Sequence, residues 1–207
     1  MARFRILFLI TVILGSYVVY APSDVAGAQT TGNAIEALAY LNELNETEGR
    51  AAADTYFRSL PSGVQQEVIR LVTPVKSVQR EESVKRATST IQATSGCWSR
   101  TGTRVWESPL GTDLFAITMT VDWCYGSAIT SRSCYSRSYA KSWPWSIDQI
   151  HYSCKLARGG IGYGLVHYET QTTFRACTAG GAGCFDYRTR YVALVGYSQG
   201  YYDWWHD

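Results

Sequence analysis

The alternation of apolar and polar positions is sharpest from Leu114 to Tyr125. Phe115, Ile117, Met119, Val121, Trp123 and Tyr125 share one parity, and Thr118, Thr120, Asp122 and Cys124 share the other. Successive side chains of a strand point to opposite faces, so this stretch predicts a strand with one face in a core and the other at solvent. From Gly96 onward, glycines punctuate runs rich in Tyr, Trp, Thr and Val, the pattern of antiparallel strands joined by turns. Upstream the period changes. Ile35, Leu38, Leu41 and Leu44 recur at helical spacing, and Asn33 followed by Glu36 has the form of a capping box. Further helices are expected over residues 51–60, ended by Pro61, and over 64–72, ended before Pro74. Residues 75–95 are polar with weak periodicity and read as a frayed helix or a linker.

The first residues, MARFRILFLITVILGSYVVY, set Arg3 and Arg5 before an apolar run, and Ala26-Gly27-Ala28 supplies a small-residue site. Together these parts describe a secretory signal peptide, removed after Ala28. The expected organisation is a signal peptide over 1–28, a helical region with linker over 29–95, and a disulfide-rich β domain over 96–207. The fold expected is mainly β: a disulfide-stapled antiparallel β-sandwich of about seven strands, preceded by a short helical N-terminal region. An open barrel is the main alternative. After signal removal no apolar run is long enough to span a bilayer. Nineteen Lys and Arg stand against seventeen Asp and Glu, with no large block of like charge, which gives nucleic acid and membrane surfaces no footing.

All six cysteines lie after Gly96, and in an exported chain they are read as disulfides. Strand parity orders the fifteen possible pairings. In QTTFRAC-TAGGAG-CFDYRTR, Cys177 opposite Cys184 would set Arg175 against Asp186 and Phe174 against Tyr187, as a consistent hairpin register should. Cys124 opposite Cys134 would clamp a second hairpin from outside the core. Cys97 and Cys154 remain, with Cys154 on an inward parity. No C-x-x-C occurs, so the spacings offer neither a redox pair nor a zinc ribbon.

Candidate chemistry is sparse. VALVGYSQG, from Val192 to Gly200, resembles the strand and nucleophile elbow of cutinase- and lipase-type α/β-hydrolases, which implies Ser198 as the attacking hydroxyl. Such an elbow opens a helix and is followed well downstream by an acid and a histidine. Here Asp203 and His206 follow too closely, and the run reads as a last strand ending in a glycine turn. His151, His167 and Glu169 fall on outward parities of two neighbouring strands. A three-residue loop would set His151 across from His167, and a five-residue loop would set it across from Glu169. That trio could ligate zinc or share protons, or form an ordinary polar face.

All seven tryptophans follow Gly96. Trp143-Pro144-Trp145 and Tyr201-Tyr202-Asp203-Trp204-Trp205 stand out, because neighbouring strand residues face opposite ways and some of these rings should be exposed. Trp143, Trp145, Tyr201, Trp204 and Trp205 are therefore the ligand-binding candidates. The expected function is that of a secreted or cell-surface binding module for a cell-wall glycan, another carbohydrate or a protein partner. A secreted hydrolase using the face of His151, His167 and Glu169, or a structural or inhibitory protein, is the alternative. No cofactor and no catalytic residue is assigned.

Overall fold

The computed structural model describes residues 23–86, 95–178 and 183–206, with side chains from residue 29 onward and excluding those of 81–86. Residues 1–22 of the leader expected over 1–28 lie outside the described residues, and residues 23–28 form the start of the first helix. Three helices, α1 (Ser23–Thr47), α2 (Arg50–Ser59) and α3 (Ser62–Leu71), precede β1 (Lys76–Arg86), β2 (Gly96–Glu107), β3 (Asp113–Tyr125) and β4 (Ile129–Ala140). There follow β5 (Trp145–Gly159), β6 (Leu165–Cys177), β7 (Cys184–Tyr197) and β8 (Tyr202–His206). The strands form two antiparallel four-stranded sheets, β1-β2-β3-β4 and β5-β6-β7-β8, whose inner faces share one hydrophobic cluster.

The alternation of β3 sets this arrangement. Phe115, Ile117, Met119, Val121 and Trp123 are all fully or almost fully buried against Val166, Phe174, Val192 and Leu194 of the second sheet. Close approach also dictates glycines. A Cβ on Gly196 would come 2.7 Å from the Trp123 ring, and one on Gly102 would come 2.8 Å from the Trp204 ring.

The helices belong to the same core. Ala34, Ala37, Leu38, Leu41 and Leu44 form the inward stripe of α1, while Ile35 is exposed. Asn33 lies well inside α1 rather than at its start. Of the polar stretch 75–95 expected as a frayed helix or linker, residues 76–86 are strand β1, paired with β2, and residues 87–94 lie outside the described residues. The charged sequence of β1 suits an edge position, where solvent receives one side of the backbone. At the same end of the sheet, Lys76 and Arg80 hold Glu107, while Arg80 and Lys141 hold Asp113. Burial raises the Asp113 pKa, but the bonds and charges of Lys141 and Arg80 outweigh it and hold this carboxyl below its ordinary range.

Two of the three expected disulfides are re-paired. Cys177–Cys184 is present, alongside Cys97–Cys124 and Cys134–Cys154. The β3–β4 hairpin turns tightly at Gly126–Ala128, so Cys124 opposes Ser131 and Cys134 opposes Val121 on the inner face. A three-residue difference in register flips the parity of Cys134 and removes it from Cys124. Cys124 meets Cys97 directly across β2 and β3, on the outer face, while Cys134 reaches Cys154 of the other sheet. The Cys177 hairpin also carries a bulge next to its disulfide, so Arg175 opposes Tyr187 and Phe174 opposes Arg188 beyond it.

Trp143 and Trp145 are core residues, 1% and 4% exposed, and present no surface to a ligand. They sit in the β4–β5 connection and at the first position of β5, where strand alternation does not constrain them. Their indole N–H groups attach the helices: Trp143 Nε1 donates to Asp54 Oδ1 at 2.8 Å, and Trp145 Nε1 donates to the Val72 carbonyl at 2.9 Å. Arg50, whose Nε is 3.8 Å from Asp54 Oδ2, donates to the carbonyls of Pro144 and Cys177. Asp54 is fully buried, so Asp54→Ala strands an indole donor and removes the carboxylate that faces a guanidinium. Urea unfolding is expected to show a loss of about 3 kcal/mol for Asp54→Ala. A loss under about 0.5 kcal/mol, the ordinary surface value, would contradict this role.

Candidate functional site

The outer face of the β5–β8 sheet collects the remaining candidates. Strand register places them in transverse rows. Arg158, His167, Val195 and Asp203 form one row; Lys155, Glu169, Ala193 and Trp205 form the next; Tyr152, Gln171 and Tyr191 form a third. Beyond the first row, Tyr197 and Tyr201 stack with centroids 4.3 Å apart at the turn into β8. Alternation along β8 explains the split of its aromatic run. Tyr202 and Trp204 turn inward onto Arg100 and Gly102 of β2, whereas Trp205 is 59% exposed and Tyr201 52% exposed.

Polar groups on this face are held in fixed pairs. Tyr191 Oη donates to Glu169 Oε1 at 3.1 Å, and His167 Nε2 lies 3.5 Å from the same oxygen. Tyr197 Oη donates to Asp203 Oδ2 at 2.9 Å. Lys155 lies over the ring of Tyr152, with Nζ 5.0 Å from its centroid. The small side chain of Ala193 separates Glu169 from Trp205 along their row. The result is a face of aromatic rings, two carboxylates and phenol hydroxyls on an antiparallel sheet. Its chemistry is that of contact: rings for apolar C–H faces, carboxylates and hydroxyls for hydrogen bonds.

The outer face of the other sheet differs. Thr101 bonds Thr120, Thr103 bonds Thr118, and Ser133 donates to Asp122, so its hydroxyls are turned to one another.

The histidine trio is divided. His167 and Glu169 adjoin, but His151 bonds Thr173 Oγ1 at 2.8 Å and is set apart from them. Four register irregularities between β5 and β6 cause this, so Arg158 opposes His167 and Lys155 opposes Glu169. One irregularity spans Cys154, whose φ is +52°. Among the described residues no group of three His, Cys, Asp or Glu side chains is placed to hold a metal ion.

The serine motif is a turn between antiparallel strands. Ser198 N donates to the Gly164 carbonyl, Gly200 N donates to the Tyr197 carbonyl, and Gly200 adopts φ +83°. Among the described residues Ser198 is followed by β8 rather than a helix, and His206 lies at the far end of that strand, opposite Val192. Sequence reasoning missed Tyr191 and Tyr197, and considered Asp203 only as an acid for Ser198. Their common parity with Val195 along β7 and β8 was the available signal, but only the register shows which carboxylate each phenol meets.

Comparison with family models, with curated proteins and with solved structures finds no match to this chain.

The Tyr197–Asp203 pair has a measurable signature. The hydrogen bond to Asp203, then burial, raises the Tyr197 pKa above its ordinary value, because ionisation would set a phenolate against a carboxylate. The Tyr197 ring-carbon NMR signals should therefore titrate above the usual tyrosine range, and Asp203→Asn should move the midpoint down. An unchanged midpoint in Asp203→Asn would contradict the pairing.

Proposed function

We propose that this protein acts outside the cell as a non-catalytic binding module, and that it holds a carbohydrate, such as a cell-wall glycan, on the outer face of the β5–β8 sheet. The observation that carries this reading is the juxtaposition of Trp205 and the stacked Tyr197–Tyr201 pair with Glu169 and Asp203 on one exposed sheet face. Sugar rings offer C–H faces to aromatic rings and equatorial hydroxyls to carboxylates, and this face presents both partners side by side. An open sheet surface suits the flank of an extended chain better than a single sugar enclosed in a pocket. Tyr201, in the turn just before β8, and Trp205, within it, are four residues apart, roughly 13 Å of extended chain, a span for a short run of linked sugars.

Three disulfides support an oxidising location, and no helix among the described residues is long and apolar enough to cross a membrane.

The test is retention on insoluble cellulose, chitin, xylan and bacterial cell-wall sacculi. The wild-type protein should sediment with at least one polymer. Trp205→Ala and Tyr201→Ala should each weaken retention about tenfold, the equivalent of losing about 1.4 kcal/mol. Tyr135→Ala, which removes an exposed ring from β4 in the other sheet, should not. Equal loss in all three variants, or no retention on any polymer, would overturn the proposal.

A further inference from the structure

Charge is distributed unevenly over the β5–β8 sheet. All four carboxylates carried by its strands are engaged within the sheet. Asp148 pairs with Arg175, and Asp186 pairs with Arg188. Glu169 accepts from Tyr191 beside His167, and Asp203 accepts from Tyr197. The edge strand β5 differs. Lys155 and Arg158 are both exposed there, and among the described residues neither forms an ion pair with a carboxylate.

Register fixes where these two cations stand. Arg158 opposes His167 at one end of the first row, and Lys155 opposes Glu169 at the end of the next. The rows are two residues of β6 apart, roughly 7 Å. Lys155 lies over the Tyr152 ring, and Glu169 is taken up by the Tyr191 hydroxyl. The acid in the row of Arg158 is Asp203, three strands away or roughly 14 Å. That exceeds the screening length of about 8 Å at physiological salt. Asp203 therefore neither neutralises the guanidinium nor repels an anion held against it.

The backbone carrying Arg158 is closely held. A Cβ on Gly159 would come 2.1 Å from the Leu165 carbonyl oxygen, and Gly160 N donates to that same carbonyl. Leu165 in turn opposes Tyr197, which brings the end of β5 close to the level of the Tyr197–Tyr201 stack. The Asp203 bond dominates the upward shift of the Tyr197 phenol, and the charge of Arg158 opposes it across the face.

We propose that this face selects acidic glycans, with Arg158 receiving the anionic group of the sugar and Lys155 providing a second cationic contact. The inference rests on the reading of the face as a glycan-binding surface and names the class of glycan. A sugar ring lying on the Tyr197–Tyr201 stack turns one edge toward β5. A carboxylate on that edge meets a planar guanidinium, whose fork of donors holds two oxygens at once. Glu169 and Asp203 remain as acceptors for neutral hydroxyls farther along the rows. A neutral glycan uses the rings and the acceptors and gains nothing from Arg158. Uronic acids and sulfated sugars share the chemistry that does.

Calorimetric titration of the full-length protein with soluble oligosaccharides of equal length tests the proposal. The probes are oligogalacturonate, a chondroitin sulfate oligomer, neutral xylo- and cello-oligomers, and a chitosan oligomer of opposite charge. At least one acidic oligomer should bind about fivefold tighter than the neutral ones, an advantage that shrinks as sodium chloride is raised. The acidic oligomer that binds more tightly distinguishes carboxylate from sulfate ester. Arg158→Gln should bring acidic and neutral affinities together, and Arg158→Lys should retain part of the preference. Arg137→Gln removes the same charge from the outer face of the other sheet and should leave the preference unchanged. Equal affinity for acidic and neutral oligomers, tighter binding of chitosan, or an undiminished preference in Arg158→Gln would overturn the proposal while the glycan reading stands. Binding of no oligosaccharide at all would overturn both.

Discussion

Phe115 is where the layers of this protein meet. Its ring centroid is 4.3 Å from Phe174 of the opposite sheet, 4.6 Å from Trp145 and 5.4 Å from Trp106 of the neighbouring strand. Such aromatic pairs contribute about 0.5–1.5 kcal/mol each beyond the area they bury. Trp145 extends the cluster by donating to the last turn of the helical layer, and Trp143 does the same through Asp54. Helices and sheets are therefore one cooperative core. Further along β3, the Cys134–Cys154 bridge ties the sheets again beside Val121. A sheet fixed at two places is a rigid platform, the property an outer-face binding site requires.

The same packing explains the contrast between the two flanks. On one side, β4 runs directly into β5 and the inter-sheet disulfide closes the gap. On the other, Tyr202 and Trp204 of β8 lie over Arg100 and Gly102 of β2. Along the inner parity of β2, Arg100 and Arg104 stand where apolar side chains would be ordinary. The aromatic face proposed to bind glycan is the outer side of the β5–β8 sheet, away from this core.

Much of the fold was legible in sequence. The alternation of Phe115 to Trp123 marked the core strand because one face of β3 is wholly buried, and the helical spacing of Leu38, Leu41 and Leu44 marked α1. Strand β1 was not legible, because a charged edge strand lacks the alternation that burial imposes. The disulfides show the limit of parity reasoning most clearly. Cys124 and Cys134 looked matched, but a tighter turn moved the register by three residues and exchanged their partners. Bulges did the same to His151, which their irregular register carried away from Glu169. Composition marked an excess of aromatics, yet it could not sort them. Trp143 and Trp145 were drawn into the core by Asp54 and Val72, groups far away in sequence, while Trp205 stayed outside because Trp204 already occupied the inner parity.

The central claim is that exposed rings and carboxylates on the β5–β8 face act together as one binding surface. Backbone chemical-shift mapping with soluble cello-, chito- and xylo-oligosaccharides addresses it most directly. The account predicts perturbations grouped at Glu169, Ala193, Val195, Asp203 and Trp205, running across the rows from β6 to β8. Perturbations centred on the threonine-lined face of the other sheet, or on the helices, would contradict it.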